Sequence, residues 1–169
     1  STLCNILNKY IDDYEGDIIL GKLNYKDINI KTVRDNIVYV NQNEEIFTGS
    51  IKENIILGGE KSDLELNKIC DICKVSDIVN KKPFRFESVI GSDEANISGG
   101  EKQRIILARA CLKDFNILIL DEALSEVDMN LELEILKNIR KVYKDKTIIY
   151  ISHKKYPNIF DEVINMEAV

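Results

Sequence analysis

Three short, unbroken apolar runs constrain this chain most: IVYV (37–40), ILIL (117–120) and TIIYIS (147–152). Such compact runs read as strands buried on both faces, the pattern of a parallel sheet covered by helices. Each run stops at polar side chains, Asn41-Gln42 after the first, Asp121-Glu122 after the second and His153 after the third. In open α/β sheets ligands bind outside the carboxyl ends of the strands, so Gln42, Asp121, Glu122 and His153 are expected at one edge. Two adjacent carboxylates beside a buried strand are costly unless a cation or a proton-transfer task balances them.

A second stretch, NISGGEKQRIILARACL (96–112), shows a different signal. Ser98 followed by Glu101 reads as a capping box, which starts a helix. Gly99 and Gly100 fall in its first turn, where the lack of side chains leaves backbone N–H groups open to an anion such as phosphate. Ile105, Ile106, Ala108 and Leu112 form the expected buried face, with Lys102, Arg104 and Arg109 left for solvent or partners.

Between these anchors the organisation is simple. Leu3, Ile6, Leu7, Tyr10 and Ile11 recur at helical spacing from the first residues on. DIILGKLNYKDI then reads as a short strand, a glycine turn and a connection, and KTVRDN as a short helix. From Ser50 to about Lys82 the pattern is helical, in the blocks SIKENIIL, SDLELNKICDICKV and SDIVNK. Ile135, Leu136, Ile139, Val142 and Tyr143 define an amphipathic helix over 129–144 whose charged residues read as a solvated face. The closing PNIFDEVINMEAV offers a helical turn and one last strand.

Composition excludes several classes. With 44% hydrophobic and 31% charged residues in 169, the chain has the make-up of one globular domain. No apolar run approaches the roughly 20 residues that span a bilayer, and the N-terminus lacks the layout of a secretory signal. A net charge of -6 without a basic cluster argues against a nucleic-acid partner. The single C-x-x-C pair, Cys70 and Cys73, sits in a helical pattern and reads as core packing rather than a zinc site, in a reducing compartment.

Taken together, ISGGEKQRIILARA resembles the signature motif of ATP-binding cassette (ABC) ATPases, and the likeness extends along the chain. FNILILDEA is similar to the Walker B motif with its catalytic glutamate, IVYVNQNEEIFTGSIKENI to the Q-loop region of ABC exporters, ALSEVD to the D-loop and ISH to the H-loop switch. Ser1-Thr2 resembles the end of a GKST phosphate loop. The resemblance implies a P-loop NTPase (RecA-like) α/β core with a mostly parallel sheet, its N-terminal strands and most of the P-loop missing. Residues 1–45 and 113–169 would form this nucleotide-binding core, and 46–112 an inserted α-helical subdomain.

It also implies roles. Ser1, Gln42 and Asp121 would hold Mg²⁺, Glu122 would polarise the attacking water, Gln42 would reach that water, and His153 would contact the γ-phosphate. Ser1, Thr2, Ser98, Gly99, Gly100, Glu101 and Asp128 would bind ATP, the signature residues acting on the nucleotide of a second, head-to-tail domain. The implied partners are that second nucleotide-binding domain and the transmembrane domain of an exporter, at the cytoplasmic face of the cell membrane. Departures occur at Ser92, Asp93 and Glu94, where many exporters have glutamate, arginine and glycine, and at Glu126 and Val127, where alanine and leucine are common.

Two other readings differ in class: a non-catalytic interaction module derived from an ABC domain, and a soluble ABC ATPase of translation or DNA repair. The exporter-like FTGSIKENI stretch and the missing basic character disfavour the latter. A phosphate site without its glycine loop and lysine lacks most of its binding free energy. A polypeptide of these 169 residues alone is therefore expected to bind ATP poorly and to hydrolyse little. Turnover matching that of an extended domain, and lost on Glu122→Gln, would overturn this expectation.

Overall fold

The computed structural model describes residues 2–91, 97–156 and 158–166. Its centre is a parallel sheet in the order β3-β6-β7, with β3 at Ile37–Val40, β6 at Ile117–Asp121 and β7 at Thr147–Ile151. The three apolar runs are thus neighbours, registered Ile37↔Ile117↔Thr147 at one end and Val40↔Leu120↔Tyr150 at the other. The backbone of Asn116 extends this register below β6, donating to Asn36 O at 2.8 Å and accepting from Thr147 N at 3.0 Å.

Alternation along the strands divides the core in two. Val38, Val40, Leu118 and Leu120 face a large cluster built with α3 (Ile51–Ile56), α4 (Asp63–Ile72), α6 (Gly99–Cys111) and α7 (Met129–Val142). Ile37 and Ile119 face a smaller one containing Cys4 of α1 (Thr2–Leu7), Tyr25, and Val33 of α2 (Ile30–Asn36). Helices on both faces bury β3 and β6, as unbroken apolar strands require, whereas β7, at the end of the strand order, is half-buried with Thr147 exposed and not the buried strand its run predicts. The short helix α5 (Ser76–Lys81) adds Ile78 and Val79 to the larger cluster. Two small antiparallel pairs lie outside the main sheet: β1 (Ile19–Leu20) with β2 (Leu23–Asn24), and β4 (Gly49–Ser50) with β5 (Val89–Ile90).

Helix starts follow their sequence signals. Ser50, Ser62 and Ser98 each form a complete capping box, with Glu53, Glu65 and Glu101 respectively. Cys70, Cys73 and Cys111 are free and buried in the larger cluster, as the packing reading requires. Among the described residues no helix is long and apolar enough to cross a membrane.

Four local expectations are corrected. The first helix stops at Leu7, because Asn8 turns its side chain back to Cys4 O (2.9 Å) and Lys9 takes a left-handed conformation (φ 53°), leaving Tyr10 exposed. The final strand is absent among the described residues: residues 162–166 have no strand partner, and Val163, Ile164 and Met166 are exposed. Charged residues on α7 are not all solvated, since Glu132 is fully buried. Arg104 and Arg109 are buried too, each satisfied by backbone carbonyls.

Arg104 donates from Nη1 to Lys74 O (2.6 Å) and from Nε to Gly100 O (3.2 Å). Arg109 donates to Asn54 O (2.7 Å), Glu45 O (3.0 Å) and Asn54 Oδ1 (3.3 Å), with the Glu44 carboxylate 4.0 Å away. The planar five-donor fork serves several acceptors at once, which a lysine would not. Arg109→Met should destabilise the fold by roughly 3 kcal/mol, because it strands the buried Asn54 main-chain carbonyl and releases the part-buried one of Glu45, while Asn54 Oδ1 keeps its bond from Phe47 N. A denaturant titration showing a loss within experimental error would contradict this account.

Candidate functional site

Asp121 ends β6 and is buried. Its Oδ2 accepts a hydrogen bond from the Tyr39 hydroxyl at 3.0 Å. Burial, and then this bond to a carboxylate, push the Tyr39 phenol well above its ordinary range. The Cys4 thiol is pushed up as well, chiefly by burial and next by the Asp121 charge.

Glu122 turns the chain out of the sheet. It sits in the left-handed region (φ 52°), held by its N–H to Ile151 O at 3.0 Å and by its carbonyl, which accepts from Ser125 N at 3.1 Å. Such a conformation is uncommon for a residue with a Cβ and recurs at functional sites. Its effect here is to aim two consecutive carboxylates differently, Asp121 into the buried site and Glu122 outward. Glu122 Oε1 lies 3.0 Å from Nε2 of His153, whose own side chain is 93% exposed.

A cleft of about 410 Å³ opens at these strand ends, lined by Asn5, Tyr10, Tyr39, Asn41, Gln42, Asn43, Asp121 and Glu122. Among the described residues no group of three or more His, Cys, Asp or Glu side chains could hold a metal by itself. One buried carboxylate with neighbouring amide and carboxylate oxygens suits a hard cation that takes its remaining ligands from water and phosphate, the habit of Mg²⁺. The residues present therefore fit Mg²⁺, which Asp121 and Gln42 could hold.

The structure brings Gln42, Asp121 and Glu122 together in one cleft, with His153 against Glu122. Ser98, Gly99, Gly100, Glu101 and Asp128 do not line that cleft. Ser98 and Glu101 engage each other as the capping box of α6, and Asp128 caps α7 by accepting from Leu131 N at 3.0 Å. Thr2 is exposed at the start of α1. Ser1 lies outside the described residues, as do Ser92, Asp93 and Glu94.

The glycine pair also has a packing role. A Cβ on Gly99 would fall 1.7 Å from Glu126 Oε2, and one on Gly100 2.8 Å from the Glu126 carbonyl oxygen. The loop after Glu122 therefore lies directly on the start of α6. Gln103 fastens it there, donating to Ser125 Oγ (3.0 Å) and accepting from Glu126 N (2.9 Å).

Sequence reasoning missed Tyr39 and Gln103. Tyr39 carries the one polar atom in IVYV, and its register with Ile119, two residues before Asp121, puts it on the Asp121 face of the sheet. Gln103 stands one turn beyond the glycine pair, so it shares their face of α6.

A parallel sheet with an acid pair at the end of its central strand and a capped glycine helix beside it defines the nucleotide-binding domain of an ABC transporter. The ABC transporter family model matches residues 1–125, and the chain belongs to that family. It is 40% identical over 171 residues to the Lactococcin-G-processing and transport ATP-binding protein LagD of Lactococcus lactis subsp. lactis, covering 99% of this chain and 24% of that protein. It is 35% identical over 156 residues to the transport/processing ATP-binding protein ComA of Streptococcus pneumoniae serotype 4 (strain ATCC BAA-334 / TIGR4), covering 91% of this chain and 22% of that one. A bacterial Atm1-family ABC exporter solved with ATP bound superposes with a TM-score of 0.82 at 28% identity, over 90% of this chain and 27% of the exporter chain. The chain thus spans about a quarter of the length of these relatives.

The two glycines should respond differently to substitution. Gly100→Ala meets backbone and is expected to cost about 1–3 kcal/mol by overpacking. Gly99→Ala meets the far end of the Glu126 side chain, which can swing aside, and should cost less. Thermal denaturation of the two variants checks the order, and equal losses would show that the loop yields as easily as the side chain.

Proposed function

We propose that this chain is the ATP-hydrolysing part of an ABC exporter, and that Gln42, Asp121, Glu122 and His153 form its reactive centre. The observation carrying this reading is the convergence of three strand ends: one cleft holds Gln42, Asp121 and Glu122, and His153 lies 3.0 Å from Glu122. The β- and γ-phosphates of ATP would enter this cleft. Asp121, Gln42 and Ser1 would hold Mg²⁺, which when bound supplies charge neutralisation for the transferring phosphoryl group.

Glu122 then accepts the proton of the attacking water through the carboxylate oxygen that now faces His153. The imidazole turns to the γ-phosphate when the nucleotide is present. No covalent intermediate is required, because positioning and charge stabilisation supply most of the rate in phosphoryl transfer.

Thr2 lies beside the phosphates, and Ser98, Gly99, Gly100, Glu101 and Asp128 serve the ATP of a second, head-to-tail domain. Their absence from the lining of this chain's own cleft supports that division. In this reading residues 1–45 and 113–169 are the nucleotide-binding core and 46–112 the helical subdomain. The segment after Gln42 meets a transmembrane domain at the cytoplasmic face of the membrane. The likeness to LagD, a Lactococcin-G-processing and transport protein, favours a peptide cargo over a lipid or a drug.

In an exporter carrying this domain, Glu122→Gln should lower ATP turnover by about 100-fold or more, the scale of a lost general base, with nucleotide binding retained. Turnover within a few-fold of the unaltered protein would remove Glu122 from the proposed role.

A further inference from the structure

His153 has a positional problem. Its side chain is 93% exposed and meets Glu122 at its tip, so packing of the imidazole cannot fix where it points. The backbone around it must be held by its neighbours, and the anchor is a fully buried carboxylate on the adjacent helix, Glu132.

Lys154, next in sequence, turns inward where His153 turns outward. Its Nζ lies 2.6 Å from Glu132 Oε2 and 3.4 Å from the Val127 carbonyl oxygen, while its backbone N–H donates to Ser152 Oγ at 3.0 Å. The hydroxyls of Tyr150 and Tyr156, on either side of His153 in sequence, both donate to the other oxygen, Oε1. Burial and then these bonds push the Tyr156 phenol up to about 12 and hold that of Tyr150 far above its ordinary range. The two rings meet edge-on, with centroids 5.7 Å apart, and Phe160 stacks on Tyr150.

A charge placed here has to be explained, since an apolar residue of similar volume commonly serves stability as well as a buried ion pair does. What an apolar residue cannot do is gather three donors from the segment that carries His153 and, through Lys154, bind them to the loop after Glu122. We infer that Glu132 is a positioning residue for His153: it locks the end of β7 to α7 and to the Val127 carbonyl, so that without nucleotide the imidazole is held against Glu122, the place from which it turns to the γ-phosphate. The catalytic importance of that geometry rests on the function proposed above; the positioning itself does not.

His153 is the only histidine in the chain, so its imidazole gives a single identifiable nuclear magnetic resonance signal in the 169-residue protein without nucleotide. Glu122→Gln should shift that signal, because it alters the group in contact. With Glu132→Gln already present, the shift caused by Glu122→Gln should be largely lost, and Lys154→Met should have the same effect while Lys154→Arg restores most of it. This is a double-mutant test of coupling. If Glu132→Gln fails to fold, as judged by amide dispersion, Lys154→Met decides. A full response to Glu122→Gln in a folded Glu132→Gln or Lys154→Met protein overturns the inference.

In an exporter carrying the domain, Glu132→Gln should lower kcat by about tenfold with little change in KM, and should lower it no further once His153→Ala is present. An equal further loss in the His153→Ala background would mean a general structural role and would also overturn the inference. An unaltered exporter without ATP turnover would instead count against the ATPase reading, leaving the resonance test of the positioning to stand or fall by itself.

Discussion

The arrangement depends on β6 being the strand with a hydrogen-bonded neighbour on each side. Only a central strand has both its ladder groups and its side chains fixed by other elements, and Leu118, Ile119 and Leu120 are fully buried. An acid at the end of such a strand inherits its rigidity. Asp121 still has to be compensated for its burial, and the Tyr39 hydroxyl from β3 does part of this through the hydrogen bond to Oδ2. The next residue leaves the sheet through a left-handed turn, a conformation that costs of order 1–3 kcal/mol unless its surroundings over-determine it. Here the bond from Glu122 N to Ile151 O provides that constraint, so β7 as well as β6 sets the direction of the second acid.

Helix α6 connects the segment after β3 with the loop after β6. At its C-terminal end Arg109 holds the carbonyls of Glu45 and Asn54, in the segment after Gln42. Near its N-terminus Gln103 holds Ser125 and Glu126, in the loop after Glu122. Arg104 adds a tie to Lys74, at the turn between α4 and α5. Most of these bonds run from long side chains to backbone atoms, so they constrain the course of the loops more than the identity of their residues. A helix of this kind cannot shift along its axis without pulling on both loops, which gives a physical path between the two strand ends that line the cleft.

Much of this was legible in the sequence because it rests on local rules. Apolar runs without alternation announced β3 and β6 as buried strands, though the run that forms β7 is only half-buried at the end of the strand order, and the Ser98–Glu101 pair announced the start of α6. The convergence of Gln42, Asp121 and Glu122 followed from the position of polar residues directly after those runs. Periodicity could not show which charged side chains are turned inward. Arg104, Arg109 and Glu132 all fall at positions that a charge count assigns to solvent, yet each is buried against partners distant in sequence: 30 residues for Arg104 and Lys74, 55 for Arg109 and Asn54, 22 for Glu132 and Lys154. A buried charge is recognisable only with its partner, and the partner is a tertiary fact.

The glycine pair shows how a motif can serve two demands at once. Read locally, Gly99 and Gly100 leave the first turn of α6 bare for an anion. The fold shows that they also allow the 125–128 loop to lie against the helix, and the two positions do so by different means. Gly100 faces the backbone of Glu126, so a side chain there would move the loop whether or not a nucleotide is present. Gly99 faces the Glu126 carboxylate, an anion already resting at the positive end of the helix dipole. That carboxylate can leave where a carbonyl cannot. A side chain over Gly99 would thus have to displace only a flexible carboxylate, whereas one over Gly100 would have to displace the loop itself.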